Sequence, residues 1–280
     1  MGRRADLTLD HQLWIEAFAL FNFAGLVVDI FLAHSENRFR EQSEYIPLYF
    51  SLAAAVTLAV VLPLRRRSPA VWRFGGHLVG WMAVAIGLLG VILHLDSQFF
   101  YERTIRSLTY AAPFAAPLAF TGLGLLLIMN RLVESDAVEW GRWVLLLALG
   151  GFAGNFVFSL TDHAQNGFFN AVEWVPVVSS AVAIGFLVVP FAMLVGVRYL
   201  RLSALVLSVQ ALVGLVGFGF HAVTDFHRPG DTLLERILGG APLLAPMLFP
   251  NLALLGSIAL WAIGRRARLR ERGLPADAAS

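Results

Sequence analysis

The sequence predicts an all-α integral membrane protein whose eight transmembrane helices form two tandem four-helix repeats of parallel orientation. Three observations support this fold class: an apolar composition, eight long apolar stretches, and a set of residues that recurs about 129 positions later in the chain. A unit of four helices returns the chain to the side from which it started. The pseudo-twofold axis between the repeats is therefore expected along the membrane normal.

The composition is that of a membrane protein. Of the 280 residues, 58% are hydrophobic and 14% are charged, and the mean hydropathy is +0.71. Soluble globular proteins carry about 25% charged residues, so a soluble enzyme and a nucleic-acid-binding protein are excluded. All 21 basic residues are Arg, which excludes lysine Schiff-base chemistry. The chain contains no Cys, which excludes disulfides, thiolate metal sites and cysteine nucleophiles.

Each apolar stretch has about the 20 residues that a helix needs to cross a bilayer. The stretches are 13–33, 46–64, 74–95, 110–130, 142–161, 174–197, 202–222 and 243–263. The first is expected to be retained, because it is too long for a signal peptide and lacks an A-x-A cleavage site.

The positions of the Arg residues predict how the helices are oriented. Arg residues concentrate at both termini and in the even-numbered connections, whereas the odd-numbered connections hold six Arg and ten acidic residues. Both termini are therefore expected in the cytoplasm, with the protein in the inner membrane of a bacterium. The basic C-terminal tail is expected to contact anionic lipid, and its last residues, 275–280, are expected to be disordered.

The two halves of the chain, 1–133 and 134–280, resemble each other in sequence. The matching segments are 34–47 with 163–176, 87–94 with 214–221, and 112–120 with 241–249. Because these matches occur in order and nearly in register, each half is predicted to be one four-helix repeat.

Histidines recur where the odd-numbered spans reach the outer face, and a Glu follows each of them. Imidazole and carboxylate together are the ligands expected for Zn, Fe, Mn or Cu, so the sequence predicts an outward-facing transition-metal site. The candidate ligands are His34, His94, His163, His221, Glu44, Glu102, Glu173 and Glu235. Candidate supporting or proton-handling residues are Asp29, Asp96, Asp162, Asp225, His227, Asn37 and Asn166.

Structural interpretations of the same residues stay open. A His at a helix end can simply hydrogen-bond a loop carbonyl. Glu44 and Glu173 each lie three residues before a Pro that begins a span, so their charges could instead stabilise helix N-termini.

Polar residues inside the spans are functional candidates by default. They are Glu16, Asn22, Asp29, Asn155, Gln210 and Asn251. Glu16 lies near the inner interface, where it is expected to be hydrated. Asp29 lies five residues before His34 and is expected to orient it.

Four functions are compatible with these residues, and a membrane metalloprotein, which could be an enzyme, is favoured. A second is a haem-binding protein with paired His ligands. In that respect the layout resembles the haem A synthases, although here the histidines end odd-numbered spans and paired loop cysteines are absent. The third is a proton- or cation-coupled transporter, and the fourth is a structural subunit of a membrane complex. Beyond lipid, the partners to expect are a second copy of the chain or another membrane subunit.

Overall fold

The computed structural model describes residues 10–134 and 138–271, and within these ranges all regular structure is helical. Arg3, Arg4 and the predicted disorder of 275–280 lie outside the described residues. The α-helices are α1 His11–Ser35, α2 Tyr45–Val61, α3 Pro69–Asp96, α4 Phe99–Glu102, α5 Ile105–Tyr110, α6 Leu118–Leu132, α7 Val138–Gln165, α8 Trp174–Ala192, α9 Val197–His227, α10 Leu233–Leu238 and α11 Leu248–Glu271. Short 3₁₀ turns lie at Gln42–Glu44, Leu62–Arg65, Ala171–Glu173 and Ala245–Met247.

Seven helical segments of the described chain are long and apolar enough to cross a membrane, which makes this a multi-pass membrane protein. They are His11–Ser35, Gln42–Arg65, Pro69–Asp96, Glu139–Gln165, Ala171–Ala192, Val197–His227 and Ala245–Arg265. Large apolar side chains such as Phe21, Phe74 and Leu205 are exposed on these helices, as expected for surfaces that face lipid.

The fourth predicted span, 110–130, is the one that differs from the structure. Its helix, α6, begins only at Leu118 and has 15 residues, fewer than the roughly 20 that cross a bilayer. Pro113 and Pro117 lack the N–H groups that a regular helix needs, and the chain leaves the helical conformation at Ala111. The segment before α6 is therefore a turn packed at the end of the bundle.

Four helices lie at the centre of the bundle, and the others flank them. Helix α1 packs on α6, α6 on α7, α7 on α11, and α11 on α1. Helix α2 packs against α1, and α3 packs against α6. In the second half α8 packs against α7, and α9 packs against α11. The contacts between the two halves of the chain thus run mainly through α6 and α5 with α7 and through α1 with α11.

Glycines let α3 and α9 approach the proline-containing starts of their neighbouring helices. A Cβ atom on Gly87 would lie 2.9 Å from the carbonyl oxygen of Pro117, and one on Gly214 would lie 2.5 Å from that of Pro246. Any larger residue would push the helices apart. These contacts hold the segments around Pro113 and Pro242 close to the ends of α3 and α9, where His94 and His221 lie.

Candidate functional site

His34 is held by the turn that ends α1. The backbone N–H of Phe39 donates to the carbonyl of His34 at 3.0 Å, and the N–H of Arg38 donates to that of Ser35 at 3.1 Å. This pair of bonds is a Schellman motif, and it places Arg38 at a positive φ of 62°. The turn directs the chain back so that Phe39 stacks on Tyr45, with ring centroids 4.6 Å apart.

The turn that ends α7 has the same construction. Phe168 donates to the carbonyl of His163 at 3.1 Å, and Gly167 donates to that of Ala164 at 3.0 Å. Gly167 has a φ of 71°, and Phe168 stacks on Trp174 at 4.0 Å. The two histidines therefore occupy the same position in two matching turns.

Each turn brings a Glu to the His before it. The Nδ1 atom of His34 lies 3.6 Å from Oε2 of Glu44, and Nδ1 of His163 lies 3.8 Å from Oε2 of Glu173. All four side chains are largely buried, with 13–20% of each exposed. These distances are too long for hydrogen bonds, so each pair leaves a gap between nitrogen and oxygen.

The two carboxylates are not fully bonded. Oε2 of Glu44 and Oε2 of Glu173 are both buried without a hydrogen-bond partner. Glu44 and Glu173 are the residues that precede α2 and α8, but neither makes a side-chain capping bond to its helix. Asn37 donates to Oε1 of Glu44 at 2.8 Å. Asn37 and Asn166, which occupy corresponding positions in the two turns, are both exposed. A helix-capping role thus does not account for the unbonded oxygens.

His94 and His221 are fixed by backbone carbonyls. Nδ1 of His94 lies 3.0 Å from the carbonyl oxygen of Pro113, and Nδ1 of His221 lies 2.9 Å from that of Pro242. A carbonyl only accepts, so Nδ1 carries the proton in each of these bonds. In the neutral ring Nε2 is then a free acceptor. The ring of His94 is 6.3 Å from that of His34, between centroids.

Several other predicted residues lie apart from these pairs. Glu102 ends α4, and Asp96 ends α3; both are exposed. Glu235 lies in the first turn of α10, whose N-cap is Thr232, and its carboxylate accepts from the backbone N–H of Asp231 at 3.1 Å. His227 is exposed, with Nδ1 2.8 Å from the carbonyl of Val223 in its own helix.

Three predicted aspartates have different surroundings. Asp225 is buried, and its Oδ1 accepts from the backbone N–H of Ala241 at 2.8 Å while Oδ2 has no partner. Asp29 lies on an exposed face of α1. Asp162 lines a small cavity of about 10 Å³, which is room for about one water molecule. Thr109, Thr161 and Gln165 also line this cavity.

The His–Glu gaps have the dimensions of a shared metal ligand pair. Ligand bonds of about 2.0–2.1 Å at a tetrahedral or wider angle leave the two donor atoms about 3.4–3.8 Å apart. In residues 10–134 and 138–271, however, no group of three or more His, Asp or Glu side chains is arranged to hold an ion. Each half presents two converging donors, and the free Nε2 of His94 or His221 is the nitrogen that would have to supply a third.

A second polar cluster, at the opposite end of the bundle, was not foreseen from the sequence. Glu16 is 1% exposed rather than hydrated, and its Oε2 lies 2.8 Å from Nη2 of Arg131. Asn130 donates to Oε1 of Glu16 at 2.7 Å and accepts from Trp140 Nε1 at 3.3 Å. The guanidinium of Arg131 also lies over the ring of Trp72 at 4.7 Å. The signal in the sequence was Glu16 itself, because a Glu inside a span needs a cationic partner at the same depth of the membrane.

Asp10 and Arg65 extend this cluster toward the surface. Nη1 of Arg65 donates to Oδ2 of Asp10 at 2.6 Å, and Nη2 donates to Gln12 at 2.9 Å. Partial burial alone would raise the pKa of Asp10. Hydrogen bonds from Arg65 and from the N–H of Leu13, with the charges of Arg65 and Arg66, lower that pKa below its ordinary value of 3.8.

Amide side chains lie near the middle of the bundle. Asn22 of α1 donates to Asn251 of α11 at 3.1 Å, which joins the two halves of the chain. Gln210 donates to the carbonyl of Ser179 at 3.0 Å. Asn155 is 3% exposed, and neither atom of its amide has a hydrogen-bond partner.

No protein-family model, curated protein or solved structure matches this chain. The function of the chain is therefore inferred from the geometry and chemistry of its residues.

Proposed function

We propose that this chain is a membrane metalloprotein that binds a transition-metal cation at two equivalent His–carboxylate sites. The first site consists of His34, Glu44 and His94. The second site consists of His163, Glu173 and His221. The observation that carries the proposal is the pair of buried, unbonded Glu oxygens, each facing a His nitrogen across 3.6–3.8 Å.

A cation would remove an energetic penalty at both positions. A buried carboxylate oxygen without a donor costs free energy, and a metal ion between it and the imidazole nitrogen supplies the missing positive charge. The Nδ1 bonds to Pro113 and Pro242 favour the same function, because a carbonyl on Nδ1 leaves Nε2 ready to bind a metal. Imidazole and carboxylate suit Zn, Fe, Mn or Cu(II).

The sites would face the periplasm of a bacterium. The Arg-rich connections lie at the other end of the helices, and the positive-inside rule assigns that end to the cytoplasm. Two tandem four-helix repeats, related by an axis along the membrane normal, would explain why the same turn, the same His–Glu gap and the same His–proline bond occur twice. The fourth span would then be completed by α6 together with the turn before it, which would bring the number of spans to eight.

Metal content tests the proposal. The wild-type protein is purified in detergent after growth with added Zn²⁺, Mn²⁺, Fe²⁺ or Cu²⁺, and bound metal is measured by mass spectrometry together with the absorbance spectrum. We expect one metal to be enriched, and His34→Ala and His163→Ala each to lower its content. His227→Ala serves as the matched control, because His227 is exposed and bonded to its own helix.

Two results would contradict the proposal. One is a wild type that carries no metal after supplementation, and the other is a His34→Ala/His163→Ala variant with the wild-type content. A Soret band would instead identify haem as the cofactor.

A further inference from the structure

We infer that water enters the second half of the chain along Asp162, Ser159 and Asn155 of α7, forming a hydrated inlet from the histidine end toward the middle of the membrane. This feature is separate from metal binding. It would remain if the His–Glu sites proved to be purely structural.

The mouth of the inlet is the small cavity beside Asp162. Its polar lining comes from Asp162, Thr161 and Gln165 of α7 and from Thr109 of α5, and apolar residues form the rest of its wall. Gln165 donates to the carbonyl of Thr109 at 2.8 Å, which ties the two walls together. A polar cavity of about 10 Å³ meets the requirement for one bound water.

The inner end of the inlet is Asn155. Residues 155, 158, 159 and 162 follow one side of α7 at helical spacing, so Asn155 lies about two turns, roughly 10 Å, below Asp162. Both atoms of its amide are buried and unbonded. Each such group costs about 1–3 kcal/mol when nothing bonds to it, and in the middle of a membrane protein water is the available partner. Ser159, 7% exposed, supplies a hydroxyl between the two ends.

The inlet ends near the amides that join the two halves. Gly151 of α7 packs against Leu252 of α11, so Asn251 lies about one turn from the level of Asn155. Asn251 bonds to Asn22 of α1. Water at Asn155 would therefore lie at nearly the same depth as the polar contact between α1 and α11.

The first half of the chain supplies an internal comparison. The residues 129 positions before Asn155, Ser159 and Asp162 are Leu26, Ile30 and Ala33. Ile30 and Ser159 are each 7% exposed, so the two positions are equally buried but chemically opposite. Helix packing at this depth does not require the polar side chains of α7.

The absence of Cys from the chain allows a direct test. Ser159→Cys and Asn155→Cys are compared with the matched controls Ile30→Cys and Leu26→Cys in lipid nanodiscs. Each variant is treated with Ag⁺, an ion no larger than a water molecule, and its rate of labelling is followed through the thiols that still react with a maleimide after denaturation. Only a hydrated thiol forms the thiolate that reacts, so we expect labelling at Ser159→Cys to be at least about tenfold faster than at Ile30→Cys.

A second variant tests the route. Asp162→Leu, combined with Ser159→Cys, should slow labelling toward the rate at Ile30→Cys, because it replaces the polar mouth with an apolar side chain. Elution volume and thermal midpoint show which variants are folded. Equal labelling rates at Ser159→Cys and Ile30→Cys, or no effect of Asp162→Leu on the rate, would overturn the inference. Neither result depends on metal content, so the labelling experiment can contradict the inlet without contradicting the metal sites, and the reverse also holds.

Discussion

Glu16 and Arg131, which are 115 residues apart, form an ion pair at 2.8 Å in which both side chains are almost completely buried. The pair connects α1 to α6, and each partner has further bonds. Arg131 donates to the carbonyl of Leu127 at 3.0 Å, and Asn130 donates to the second oxygen of Glu16. At the corresponding positions of the second half, 129 residues later, the chain has Leu145 and Leu260, both buried.

The first prediction is that an apolar pair can replace this ion pair. Arg131→Leu alone should lower the free energy of unfolding by about 3–5 kcal/mol, because it leaves the Glu16 charge buried and unpaired. Glu16→Leu/Arg131→Leu should recover most of that loss, since leucines fill the same positions in the second half. Urea or detergent titration of helical circular dichroism measures both. A double variant less stable than Arg131→Leu would show that the polar contacts cannot be replaced by packing.

The second prediction concerns the acid stability of the Asp10–Arg65 pair. The folded-state pKa of Asp10 is below its ordinary value of 3.8, so the pair stabilises the fold fully above that value. This contribution is lost as the pH falls through the lower, folded-state pKa. The thermal midpoint of the wild type should therefore drop more steeply than that of Asp10→Asn as the pH falls below about 4. Parallel curves for the two proteins would contradict the assignment.

The apolar spans were predictable because apolar length is a local property of the sequence. The start of α6 was not, since Pro113 and Pro117 keep the preceding segment out of the helix although its composition is apolar. Two of the recurring His and Glu pairs lie at the turns after α1 and α7. A Schellman turn is what brings a Glu back to the His before it. Of the four candidate glutamates, only Glu44 and Glu173 follow such a turn. The pairing of Glu16 with Arg131 could not be predicted, because Arg131 lies in a helix distant in sequence. Arg131 also resembles the other Arg residues at the predicted cytoplasmic ends of the spans, which indicate orientation.

The third prediction follows from the two Schellman turns. Arg38 has a left-handed conformation with φ 62°, whereas the matching position of the second turn is Gly167 with φ 71°. Glycine adopts this conformation without steric cost. Arg38→Gly should therefore stabilise the protein by about 0.5–1 kcal/mol, and Gly167→Ala should destabilise it by about 1 kcal/mol. Thermal midpoints of the two variants provide the check, and a lower midpoint for Arg38→Gly or a higher one for Gly167→Ala would show that the turns are not equivalent.

The fourth prediction concerns His94 and His221. Their bonds to proline carbonyls require the proton on Nδ1, so ¹⁵N spectra of histidine-labelled protein should show both neutral rings as the Nδ1–H tautomer. His227 should show the same tautomer, because its Nδ1 faces the carbonyl of Val223. One equivalent of the bound metal per site should then shift Nε2 of His94 and His221 and leave His227 unchanged. If the metal binds without moving the His94 and His221 signals, the sites use only the His34–Glu44 and His163–Glu173 pairs.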